Sequence, residues 1–133
     1  MYILKHWSHI ARVKLGLYCL KRVAPLCKPD TTVDMAIKHI ENWLLNPTEE
    51  NTEACEEFGH IVNIIFPTAD GPNVTAIGNI IYYITRYIVP GDDRTSYYII
   101  RTVMNTAYAL NVPEESIVNS YLEEFIIGEV SDY

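Results

Sequence analysis

The sequence predicts an all-α fold, a single-domain bundle of about six mostly antiparallel helices. Three observations predict it. Apolar residues recur at intervals of three and four almost throughout, and no convincing period-two run is present. Clusters rich in Pro, Asn, Asp and Gly cut the chain into helix-length pieces joined by short connections. The chain has 133 residues, 49% apolar and 20% charged, enough to bury one core without a disulfide or metal staple and too little for two. No linker divides residues 1–133, and no internal repeat emerges.

The first helix is expected from about Ile3 to Val23, with Leu4, Trp7, Ala11 and Tyr18 on one stripe, closed by Pro25 and Pro29. A second starts at Asp30 or Thr31, where Thr31-Thr-Val-Asp34 resembles a capping box. Its stripe is Val33, Ile37, Ile40 and Leu44. The third starts at Asn46-Pro47-Thr48-Glu49, with Asn46 as cap and Pro47 in the first turn. Ala54, Phe58, Ile61 and Ile65 are expected inward; Glu49, Glu53, Glu56 and Glu57 are expected outward. Pro67 to Pro72 is a turn-rich loop. The fourth helix runs from near Asn73 and ends before Pro90-Gly91, and the fifth runs from near Asp92 to about Asn111. The sixth opens with Pro113-Glu114-Glu115, carries Ile117, Tyr121, Leu122 and Phe125, and is expected to stop at Gly128, before a short acidic tail.

Ten Lys and Arg against seventeen Asp and Glu leave a net charge of −7. The sum hides an asymmetry. Residues 1–28 hold six bases (Lys5, Arg12, Lys14, Lys21, Arg22 and Lys28) and no acid, whereas the remainder holds only Lys38, Arg86, Arg94 and Arg101 against every acid. An acidic mean field repels phosphate backbones, so direct nucleic-acid binding is not expected. The basic first helix is expected to lie on its own acidic body. Cys19, Cys27 and Cys55 form no CxxC and no zinc spacing, which favours a reducing compartment. Lys5, His6, His9 and Arg12 interrupt the early apolar run, so no secretory leader is expected. The most apolar stretch, Ile77 to Val89, contains Asn79 and Arg86 and is too short for a bilayer. A cytoplasmic protein without membrane contact is expected.

Signatures of catalysis are scarce. There is no GxSxG elbow, no GxGxxG and no phosphate-binding loop. Cys19 and Cys55 have apolar neighbours and read as core filler. His6 and His9 share a helix side without an acid to complete a metal site. Glu57-Phe-Gly-His60 is one Glu-x-x-His, where di-iron bundles need two. No metal, no cofactor and no catalytic residue is expected.

The most informative pattern lies in the fourth and fifth helices. Thr75, Asn79, Tyr82 and Arg86 fall at steps of four, three and four, one polar stripe on an otherwise apolar helix. Arg94, Tyr97, Tyr98, Arg101, Asn105 and Tyr108 repeat the spacing on the fifth, opposite an apolar stripe of Ile100, Val103, Ala107 and Leu110. Three of the four bases beyond residue 28 fall here, and six of the ten Tyr, counting Tyr83 and Tyr87. Arg forks bind carboxylate or phosphate, and Tyr anchors interfaces or stacks on flat rings. Asn79, Tyr82, Tyr83, Arg86, Arg94, Tyr97, Tyr98, Arg101, Asn105 and Tyr108 are therefore the candidate binding residues, for a protein partner or a small anionic, nucleotide-like ligand. The plain alternative is that these arginines neutralise Asp and Glu across helices. The fourth helix, apolar on nearly all sides, also predicts a homo-oligomer, a dimer first of all.

The segments Cys19-Leu-Lys-Arg-Val-Ala-Pro-Leu26 and Ala36-Ile-Lys-His-Ile-Glu-Asn-Trp43 resemble the opening of a bacterial immunity-protein family of small all-helical proteins. Those proteins begin with a Cys-x-x-Arg-Val-x-Pro helix, followed by an Ala-Ile/Leu-Glu-x-x-x-x-Trp helix. The family's Asp-x-Arg-Pro is replaced here by Pro29-Asp-Thr-Thr-Val-Asp34. The resemblance implies a helical fold and a non-catalytic role, and it assigns no site residue. The function expected is binding that neutralises or sequesters a target, of the immunity or counter-defence type. The other readings are an acidic mimic of nucleic acid occupying a DNA-binding protein, and, third, a metal-dependent helical-bundle enzyme.

Overall fold

The computed structural model describes residues 8–26, 31–65, 72–89 and 95–131. They form six α-helices: α1 (His9–Val23), α2 (Thr31–Leu45), α3 (Glu49–Ile65), α4 (Pro72–Tyr87), α5 (Thr95–Leu110) and α6 (Glu114–Ser131). A 3-10 turn, Ala24–Leu26, follows α1, and no strand occurs among the described residues. The all-α single-domain bundle read from the sequence is the fold. Leu4, Trp7, Pro29, the Pro67–Gly71 loop and Arg94 lie outside the described residues, as do the side chains of Ile65, Thr75 and Phe125.

Several local expectations are corrected. Ser8 is extended, and its hydroxyl accepts from the Ala11 amide at 3.2 Å, so α1 starts at His9 rather than near Ile3. The buried side of α1 is Val13, Leu15, Gly16, Cys19, Leu20 and Val23, with Ala11 and Tyr18 at its margin. Thr48, not Asn46, caps α3: the Asn51 amide donates to its hydroxyl at 3.2 Å. The Asn46 carbonyl instead accepts from the Thr48 amide and the Asn51 side chain. Ile61 is about half exposed, and the inward residues of α3 are Cys55, Phe58, Gly59 and Val62. The helix continues through Gly128, because one glycine costs a helix only about 1 kcal/mol and does not stop it unaided.

Helix α4 is the hub. It packs on α1, α3 and α5, and Ile77, Ile80, Ile81, Ile84, Tyr87 and Ile88 are fully buried. Two glycines let it approach. An added methyl at Gly16 would meet the Tyr87 hydroxyl and stand 2.9 Å from Ile84; one at Gly59 would stand 2.7 Å from the Thr85 Cβ. Two long-range bonds tie the end of α4 to α1: the Tyr87 hydroxyl donates to the Arg12 carbonyl at 3.1 Å, and His9 Nε2 donates to the Ile88 carbonyl at 2.9 Å. The His9 ring also stands edge-on to Trp43, whose indole N–H donates to Thr52. The buried polar groups Thr85, Thr102 and Thr106 each return their hydroxyl to the carbonyl four residues back, at 2.8 to 3.0 Å. Because one chain buries α4, the apolarity of that helix gives no reason for self-association.

Candidate tyrosine and arginine interface

Helices α4 and α5 run antiparallel, and their polar stripes meet. On α4 every described side chain from Ala76 to Ile88 is buried except Asn79, Tyr82, Tyr83 and Arg86. That is the stripe read from spacing, now half open to solvent. Asn79 donates to the Asn105 side chain across the seam at 3.4 Å, and Asn105 donates to the Arg101 carbonyl at 2.8 Å.

The tyrosines form one connected row. Tyr82 packs on Tyr83 with ring centroids 5.7 Å apart, Tyr83 stacks on Tyr98 at 5.8 Å with planes 29° apart, and Tyr98 meets Tyr97 at 5.7 Å. Within it Tyr98 is buried, Tyr82 and Tyr83 are half-buried, and Tyr97 is exposed. The expected apolar stripe of α5 is corrected at one position. Val103 and Ala107 are buried, but Ile100 is exposed, because α5 turns a second apolar side outward.

Both described arginines of the face are held by tyrosine rather than by acid. Arg101 Nε donates to the Tyr97 hydroxyl at 3.1 Å, and its guanidinium lies 5.3 Å from that ring. The bond and the nearby phenol oxygens raise its pKa above the ordinary value. The neighbouring Tyr98 hydroxyl is the leading cause that raises the Arg86 pKa, with Tyr82 and Glu56 adding to the field. The Arg86 Nε is buried with no hydrogen-bond acceptor. Among the described residues neither arginine is in ion-pair contact with a carboxylate. The expected cross-helix neutralisation occurs instead on α1, where Lys21 meets Glu41 of α2 at 3.3 Å, an exposed pair.

Spacing missed a second pair of the same kind. Arg22 donates to Tyr18 at 2.8 Å, and Tyr18 packs on Tyr121 of α6 at 5.4 Å. The signal was present: Tyr18–Arg22, Tyr82–Arg86 and Tyr97–Arg101 are all Tyr-x-x-x-Arg, the four-residue step that puts both side chains on one helix face.

The other candidates separate in space. Glu57 and His60 are exposed, and no three His, Cys, Asp or Glu side chains gather into a cation-sized cluster among the described residues. Burial pushes the Cys19 thiol up to about 12 and the Cys55 thiol up to about 11, which leaves both protonated near neutrality. No helix among the described residues is long and apolar enough to cross a membrane. In comparisons with known proteins, no family model, curated protein or solved structure matches this chain.

Proposed function

We propose that this chain is a non-catalytic binding protein that neutralises or sequesters a partner protein, docked on the seam formed by Asn79, Tyr82, Tyr83, Arg86 and Tyr98. One observation carries the reading. Arg86 sits in an acidic chain, half-buried among tyrosines, with no carboxylate in ion-pair contact among the described residues. A guanidinium so placed keeps donors for a carboxylate brought by a target, beside aromatic area typical of binding hot spots.

The row of rings favours a protein over a nucleotide-like ligand. Tyr83 and Tyr98 already stack on each other, so a flat base would have to separate them, whereas a protein can lie across their edges and hydroxyls. The resemblance of about residues 17–45 to an immunity-protein opening supports a neutralising role of the immunity or counter-defence type. The test is affinity capture from the native host lysate with the wild-type chain and with Arg86→Ala and Tyr82→Ala. A partner held by wild type and lost from both variants, at nearly unchanged melting temperature, is the expected result. Equal retention by both variants would move the site elsewhere. A nucleotide released from the purified protein, seen by native mass spectrometry, would replace the protein target with a ligand.

A further inference from the structure

We infer that the outer side of α5 is a self-complementary face on which two copies of this chain pair antiparallel about a two-fold axis. The face is set by exposure. Tyr97, Ile100, Met104 and Tyr108 are 49, 37, 38 and 66% exposed, at steps of three, four and four along one side of the helix. That row is about 16 Å long at about 1.5 Å per residue. Apolar side chains exposed on successive turns of one helix mark a surface that has a partner.

Charge selects the partner. Arg101 lies beside Tyr97, about one turn to the N-terminal side of Met104. Toward the C-terminal end of the row Met104 and Tyr108 border a depression of about 750 Å³ that Glu114 and Glu115 also line. Both glutamates are exposed and open α6, where the helix dipole favours acids. Along the face the base therefore lies on the N-terminal side of Met104 and the acids on its C-terminal side. An antiparallel partner must present acid opposite that base and base opposite those acids, and a second copy does so. In an isologous pair each contact occurs twice, so Arg101 of each copy is laid toward the acid-lined end of the other, with Met104 near the axis. This pairing uses residues that the target seam around Tyr82 and Arg86 does not need, so the two proposals stand or fall separately.

The test combines mass, cross-linking and charge reversal. In a Cys27→Ser background, Met104→Cys should oxidise to a disulfide-linked dimer, while Glu53→Cys on α3 should not; Cys19 and Cys55 are buried and contribute no cross-link. Light scattering should show a dimer for wild type. Arg101→Glu should weaken it about tenfold or more, and adding Glu114→Lys with Glu115→Lys should restore it. Melting temperatures of all variants separate unfolding from dissociation. A wild-type monomer at high micromolar concentration overturns the proposal and leaves the face to another protein. So does a Met104→Cys variant that cross-links no more than the Glu53→Cys control, or a dimer indifferent to Arg101→Glu.

Discussion

The Tyr87 hydroxyl fills the space that a side chain at Gly16 would take, and it donates to the Arg12 carbonyl one turn earlier on the same helix. A residue of α4 thus uses the missing side chain of α1 as its seat. Gly16→Ala should therefore lower stability by about 1–3 kcal/mol, although alanine is the better helix former. In the Gly16→Ala background, Tyr87→Phe should cost less than it does alone, because it removes the atom the new methyl meets. A double-mutant cycle by urea denaturation measures this, and additive effects would contradict the contact.

Stability should fall in alkali before any surface group explains it. An exposed thiol titrates near 9.0, whereas Cys19 in the fold is pushed up to about 12 by burial. Cys55 and Tyr87 are raised by burial in the same direction. Each group, having a higher pKa when folded, contributes stability that is complete below its unfolded pKa and is lost as pH rises toward the folded one. The window therefore opens near pH 9, and Cys19 alone should cost about 1.4 kcal/mol per pH unit above it. Denaturation midpoints measured from pH 7 upward should decline, and Cys19→Val should make the decline shallower.

The end of α5 depends on one left-handed residue. Asn111 has φ 55°, the Val112 amide donates to the Ala107 carbonyl, and the Asn111 amide donates to Tyr108. This is the six-to-one and five-to-two pattern of a Schellman cap. Asn111→Gly should be neutral or slightly stabilising, and Asn111→Val should cost about 1–2 kcal/mol in thermal unfolding.

At the start of α3, Thr48→Ala should cost about 1 kcal/mol, the usual loss of a cap, and its effect should exceed that of Asn46→Asp, which leaves the accepting carbonyl in place. Calorimetry of both variants decides which residue caps the helix.

The legible parts of the fold were those set by local periodicity. The three-and-four spacing gave α2, and the Thr75–Arg86 register found the half-open stripe of α4, because a helix surface obeys its own 3.6-residue repeat whatever lies opposite. What failed was decided by neighbours. Ile61 and Ile100 are apolar and in register, yet no helix among the described residues covers them fully. Gly16 and Gly59 give no periodic signal, since their role exists only when α4 arrives. The tyrosine row was legible as two stripes but not as a stack, because Tyr83 and Tyr98 meet only across the hairpin. Ser8 outcompeted the earlier apolar residues as the start of α1 by satisfying a free amide, which periodicity alone does not register.

A central α4 also sets the timing of folding. Ile88 and Tyr87, which tie down α1, lie 79 and 75 residues beyond their partners His9 and Arg12. On the ribosome, α1 and α3 emerge before the helix they pack on, so the nascent chain holds their α4-facing sides uncovered for several seconds at ordinary elongation rates. Commitment to the native state is then concentrated in one late event, the docking of α4. A ribosome stalled before residue 88 would present a chain that chaperones should recognise, and one stalled after α4 has cleared the exit tunnel would not.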